Sequence, residues 1–202
     1  ATTDLMRFVP AADYNGTPTG LTVRLIDDSV SVTGGATINV SSNGGSTAYS
    51  SALVATSTSV TAVNDAPTFG ALDGTPNTTE NGAAVVLDGD VTVSDAELTA
   101  ANNFSGATLT LARQGGANSD DALAFDGVNV TTSGANVFVG GVQVGTYTYS
   151  GGQMDILFNA NATNARVDTL AQNIVYWNWS DNPPPSVQID WTLSDGNAGS
   201  QG

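Results

Sequence analysis

The sequence predicts an all-β fold, a calcium-stabilised β-sandwich with one short helix, and three observations carry that expectation. Apolar residues alternate with Thr, Ser and other polar residues at period two in many short runs. Gly, Asn, Asp and Pro punctuate these runs roughly every ten residues, the spacing of antiparallel strands in a sandwich rather than of strands alternating with helices. The chain is also strongly acidic, with 19 Asp and Glu against 4 Arg, a formal charge of −15 and only Glu80 and Glu97 as glutamates. Asp suits loops, where its short carboxylate reaches backbone groups or a hard cation. A compact chain of that charge repels itself unless something neutralises it, so the carboxylates are expected to gather around divalent ions.

Taken in order, strands are expected at Leu5–Val9, Leu21–Ile26, Ala36–Val40, Ser57–Val63, Ala84–Leu87, Val91–Val93, Ala107–Leu111, Val137–Val139, Val142–Tyr149, Met154–Phe158, Val175–Trp179 and Val187–Leu193. The Gly-Gly pairs at 34–35, 44–45, 140–141 and 151–152 read as tight hairpin turns. One helix interrupts the strands. Val167, Leu170, Ala171 and Ile174 fall at i, i+3, i+4 and i+7, with Thr163 or Asn164 available as N-cap. The 40% hydrophobic content lies within these runs, which argues against a disordered acidic chain.

Composition excludes several functions. Without Cys there are no disulfides, thiolate zinc sites or cysteine nucleophiles, and without His the commonest general base and transition-metal ligand is missing. The absence of Lys removes Schiff-base chemistry. Arg7, Arg24, Arg113 and Arg166 are too few for a nucleic-acid interface or an anionic membrane surface. No run approaches the ~20 apolar residues of a membrane helix. No signal peptide is visible and Ala1 falls mid-pattern, so the chain reads as cut from something longer. A glycosidase would need two carboxylates facing each other across a cleft. Glu80 and Glu97 could be nominated, but their neighbours look like metal ligands, and the expectation is a protein that is not an enzyme.

An internal repeat organises the chain. Displaced by 168 positions, Met6 meets Ile174, Phe8 meets Tyr176 and Asp13 meets Asp181. The register continues with Leu21 on Ile189, Val23 on Trp191, Leu25 on Leu193 and Asp27 on Asp195. Residues 1–63 therefore read as the closing strands of one module, 64–69 as a linker stiffened by Pro67, and 70–202 as the main module. The alternative is that 1–63 completes the second part as one composite domain.

Calcium takes six to eight oxygen ligands. The leading candidate set is Asn64 and Asp65 at the junction, Glu80 next to Asn81, and the Asp95-Ala96-Glu97 pair, whose carboxylates would share one side of an extended segment. An Asx-turn with a surface acid pair is the plainer reading. These pieces resemble the ones cadherins use to rigidify domain junctions with calcium, although Ala62 and Val63 stand where an additional ligand would be. A second cluster, Asn118, Ser119, Asp120 and Asp121, follows Gln114-Gly115-Gly116, and a solvated turn explains it equally well. Asp195 and Asn197 form an Asp-x-Asn loop, with Asp27 and Asp28 in the repeat copy. Asp181 and the Asp88-Gly89-Asp90 turn complete the candidates. Trp177 and Trp179 share one strand face beside Pro183–Pro185, so they form either a recognition surface or part of the core between sheets.

Longer stretches resemble the tandem modules of giant bacterial RTX adhesins. These are Leu5–Pro10 through Asp13-Tyr14-Asn15-Gly16 to Val60–Pro67, Thr79–Gly82 through Ser94–Leu98, Arg113–Asn118, and Asp190–Asn197. The unit is similar to the peptide-binding domain of such adhesins. That resemblance implies a secreted, monomeric module on the bacterial surface, flanked by neighbouring adhesin modules. It implies that the module grips the C-terminal end of a peptide or protein on a target cell, with calcium holding the carboxylate. The Gln114, Gly115, Gly116, Asn118, Ser119 and Asp120 loop, with Trp177 and Trp179, is the expected ligand site. The competing expectations are a stalk-extending module whose ions have closed shells, and a calcium-dependent carbohydrate-binding module.

Overall fold

The computed structural model describes residues 7–12, 14–80 and 82–197. The expected strand at Leu5–Val9 and the candidates Asp13 and Asn81 lie wholly or partly outside them. The chain separates into two compact units, Ala1–Ala62 and Val63–Gly202.

The first unit contains one short antiparallel ladder, β1 (Leu21–Val23) against β2 (Val54–Thr56), extended by bridges between Gly16 and Val60 and between Ile26 and Tyr49. Alternation at Ala36–Val40 and Ser57–Val63 does not yield strands. Those backbones find no continuous partner, and a strand exists only where a neighbour receives its N–H and C=O groups. Gly34-Gly35 and Gly44-Gly45 form turns within a long loop rather than hairpin ends.

The second unit is the sandwich. Its strands are β3 (Thr68–Gly70), β4 (Val85–Val86), β5 (Thr92–Ser94), β6 (Thr108–Arg113), β7 (Asp121–Phe125), β8 (Val130–Ser133), β9 (Asn136–Val139), β10 (Val142–Ser150), β11 (Gln153–Phe158), β12 (Ile174–Asn178) and β13 (Ile189–Ser194). Six of them form an antiparallel sheet in the order β13-β6-β11-β10-β9-β8, three form β4-β12-β7, and β3 pairs with β5. Two of the expected glycine pairs are hairpin turns. Gly140-Gly141 joins β9 to β10 and Gly151-Gly152 joins β10 to β11, all four at positive φ, where glycine carries no side-chain penalty.

The alternation then places the core. Leu109 and Leu111 on β6, Val137 and Val139 on β9, Met154, Ile156 and Phe158 on β11, and Ile174 and Tyr176 on β12 are all buried. Helix α2 (Asn164–Ala171) adds Val167, Leu170 and Ala171 to the same cluster. Thr163 is its N-cap residue, though the side chain makes no capping bond. Ile174, expected on the helix, is the first residue of β12.

Four strands and a helix lie outside the expected pattern, among them β2, just before the expected run at Ser57–Val63. β3, β7 and β8 are short or dense in Ala and Thr, and no clear alternation marks them. Helix α1 (Ala96–Ala101) replaces the extended Asp95-x-Glu97 segment. Asp95 is its N-cap and accepts hydrogen bonds from Glu97 N and Leu98 N at 3.0 and 2.8 Å. Asn102 closes it in the left-handed conformation. An Asp followed by Ala-Glu-Leu-Thr-Ala-Ala is a helix start by capping and propensity. No helix among the described residues is long and apolar enough to cross a membrane.

Candidate functional site

Two acidic centres lie in the second unit. The first sits where three chain segments end together. Thr68 of β3 pairs with Ser94 of β5, so Asn64 and Asp95 are at the same end of that ladder. Phe69 meets Trp191 of β13 edge-to-face at 6.1 Å. A few residues further on, the Asn64 amide donates to Asp195 Oδ2 at 2.5 Å. Asn197 in turn donates to Asn64 Oδ1 at 3.1 Å, and Asp195 Oδ1 accepts from Asn197 N.

Asp95, only 3% exposed, spends Oδ1 on capping α1, while Oδ2 is buried without a partner. Glu97 Oε2 is likewise buried and unpartnered. Buried carboxylate oxygens left unpaired are expensive, and a structure tolerates them where a cation completes them. The donor set here is all oxygen, the chemistry of a hard cation. The structure thus brings Asn64, Asp195 and Asn197 into contact, while Asp95 and Glu97 lie on the first turn of α1 and form no close carboxylate cluster with Asp195 among the described residues. Asp65 and Glu80 are exposed and make no side-chain hydrogen bond among the described residues.

The second centre is Asp73, Asp88 and Asp90, whose carboxylate oxygens lie within 4.8 Å of one another, a cluster able to hold a metal ion. Asp88 is its buried member. Its Oδ2 accepts from Asp73 N and Gly74 N at 2.9 and 2.7 Å, and its Oδ1 accepts from Asp90 N and Val91 N at 3.1 and 2.8 Å. Burial pushes the Asp88 carboxyl up, but these four N–H groups outweigh it and hold it below the ordinary Asp range. Gly74 is required for this fit, because a Cβ there would lie 2.2 Å from the Leu87 carbonyl.

Asp90 is raised, first by its hydrogen bond with Asp88, then by partial desolvation and the charges of Asp88 and Asp73. Asp88 organises the loop with its lone pairs already committed. The exposed Asp73 and Asp90 are the members with oxygens to offer a cation. Of this cluster, Asp88 and Asp90 were visible as a turn in the sequence. Asp73 had no signal, since its approach depends on the 72–78 loop folding back across β4.

Asp88 and Gly74 also line a groove of about 930 Å³, with Tyr176, Pro183–Pro185 and Trp191 along its length. The groove borders β13 through Ile189–Thr192 and reaches Tyr176 and Asn178 of β12 and Leu87 and Asp88 after β4.

The Asn118–Asp121 loop is not a metal centre. Asp121 is fully buried, and Arg113 clasps it in a fork, Nε to Oδ2 and Nη2 to Oδ1, both at 2.6 Å. Tyr176 Oη and Asn178 Nδ2 donate to the same Oδ1 at 2.7 and 2.9 Å. Burial works against this carboxylate, but the hydrogen bonds from Arg113, Tyr176 and Asn178 prevail and keep its pKa low. Oδ1 is saturated by three donors, and Arg113 already supplies the positive charge that a cation would bring. Asn118 is engaged in an Asx-turn to Asp120 N, and Gln114, Gly115, Gly116, Ser119 and Asp120 are exposed. Asp181 is an exposed turn residue. Trp177 and Trp179 pack edge-to-face at 5.4 Å on the outer face of β12, with Trp179 63% exposed, while Tyr176 points inward. They belong neither to the core nor to the groove lining.

Comparison with known proteins returns no match among family models, curated proteins or solved structures.

Proposed function

We propose that the chain is a calcium-dependent adhesin module that holds the C-terminal end of a partner protein or peptide through a calcium-bound carboxylate and so attaches a bacterium to a target cell. The observation that carries this reading is the acidic triad Asp73, Asp88 and Asp90, whose buried member Asp88 lines, with Gly74, a groove of about 930 Å³. An acidic protein attracts a carboxylate only where a cation inverts the local field. Asp73 and Asp90 are exposed, so an ion between them keeps positions open for a ligand's oxygens. Trp191, Tyr176 and Pro183–Pro185 then offer apolar surface to the penultimate side chains. The expected ligand loop at 114–121 is replaced in this role by the 72–78 loop and the groove.

The first turn of α1, with Asp95 and Glu97, supports a second calcium role on the same chain. Its unpartnered oxygens are buried, which favours a closed shell that stiffens the start of the module next to its neighbour. In this reading the protein is a non-catalytic, extracellular binding module.

Titration calorimetry with short peptides decides the matter. Binding should appear in calcium, vanish in EDTA and be lost on C-terminal amidation, and it should weaken in Asp90→Asn. Binding indifferent to chelator and to amidation would overturn the proposal.

A further inference from the structure

β13 is the outermost strand of the six-stranded sheet, and it pairs on one side only, with β6. Gln114 N donates to Gln188 O at 2.9 Å, so the even-numbered residues of this segment turn their backbone groups towards β6. Antiparallel alternation then turns the N–H and C=O of Ile189, Trp191 and Leu193 outward. Among the described residues no backbone hydrogen bond reaches them.

The repeat shows what such an edge receives. Leu21, Val23, Leu25 and Asp27 are the counterparts of Ile189, Trp191, Leu193 and Asp195. In the first unit these odd-numbered residues are the ones that bond outward. Ser50 N donates to Leu25 O and Asp27 N to Ala48 O, both at 3.0 Å, and the ladder continues with β2 against β1. The edge that β2 occupies beside β1 is therefore the edge left free on β13. That free edge carries no Pro and no bulge, and Asp190 is the one charge on it, so it is only lightly blunted against pairing. It also borders the groove through Ile189–Thr192.

We infer that the outer edge of β13 accepts an extended segment of a separate partner polypeptide, antiparallel and of the chemistry of residues 52–62. That chemistry is uncharged, an apolar Ala-Leu-Val-Ala start followed by a Thr- and Ser-rich run with Val60. Charge fits it, because Asp190 on the strand, Asp88 in the groove and the net −15 of the chain would repel an acidic strand. Main-chain pairing supplies affinity and the flanking groove supplies selectivity.

The probe is a synthetic peptide of residues 52–62, acetylated and amidated so that carboxylate capture plays no part, added to the full chain in calcium. Amide exchange at Ile189, Trp191 and Leu193 should slow about tenfold when the peptide is at ten times its Kd, with Asp190 and Thr192 unchanged. N-methylation at Val54 and Thr56 of the peptide, whose counterparts face β1, should abolish binding, while N-methylation at Ala55 and Ser57 should spare it. Protection at other residues, or equal tolerance of both methylation patterns, would overturn the proposal. So would a chain that is already dimeric through this edge and refuses the peptide. Binding seen only with a free carboxylate would likewise refute edge pairing while leaving the calcium–carboxylate function standing.

Discussion

Leu21, Val23 and Leu25 hold the same pattern positions as Ile189, Trp191 and Leu193, 168 residues apart, yet their surroundings differ completely. In the first unit Leu21 is 53% and Leu25 71% exposed, and every residue of β2 is exposed as well. In the second unit the three counterparts pack half-buried against a cluster that includes Leu109, Leu111 and Ile156. Alternation licenses a strand with one apolar face, and only a second layer makes that face a core. β13 has β6 beside it and a facing layer above it; β1 has a three-residue ladder.

The contrast can be tested, because all three Trp lie in the second unit and their fluorescence reports its unfolding alone. The largest effect should come from Asp121→Ala. Removing it leaves the partly exposed Arg113 guanidinium and the Tyr176 hydroxyl without their shared acceptor, and breaking a largely buried pair costs about 3 kcal/mol. Thermal unfolding followed by Trp emission should shift down by roughly 10 °C. An unchanged midpoint would mean the clasp does not hold the sheets together.

Chelation comes next. For each site at a hundredfold excess over Kd, calcium should add about 2.7 kcal/mol to the second unit, so EDTA should lower the same midpoint. Asp95→Ala should remove part of that difference. Identical melting with and without EDTA would remove the cation from both acidic centres.

Acid should act on the same unit. Asp88 and Asp121 have folded pKa values below the unfolded one, so their contribution is complete above about pH 4 and fades as the pH falls through the folded values. Asp90 has the opposite sign, since its charge is disfavoured by Asp88 and Asp73. Asp90→Asn should therefore raise the midpoint in EDTA and reduce the gain on adding calcium, a reversal that distinguishes an ion site from plain repulsion.

The smallest effects belong to the paired leucines. Leu193→Ala should cost about 1 kcal/mol for a half-buried side chain, and Leu25→Ala should stay within about 0.5 kcal/mol. Circular dichroism melts of both variants would compare them, and equal costs would show that the first unit buries its leucine as the second does.

Much of the second unit was legible in the sequence. β6, β9, β11 and β12 alternate cleanly, and Gly140-Gly141 and Gly151-Gly152 mark their hairpins, because local backbone demands at positive φ leave little choice but glycine. α1 carried a readable cap in Asp95, but the same carboxylate pair also fitted an extended metal motif, and a single residue cannot reveal which role its backbone adopts. At the candidate sites, Asn64 and the Asp195–Asn197 loop stood in separate candidate sets, and the fold brings them into hydrogen-bonding contact. Asp73 and the clasp of Asp121 by Arg113 were not foreseeable, since each joins segments that only strand pairing brings together.

Residue chemistry by itself settled the fold class of this protein: an antiparallel β chain, rich in side-chain oxygens and free of thiols and imidazoles. Tertiary structure decided which carboxylates are spoken for and which are not. An Asp looks the same in a string of letters whether four N–H groups, a guanidinium or nothing at all faces its oxygens, and that difference depends on contacts between residues far apart in the chain.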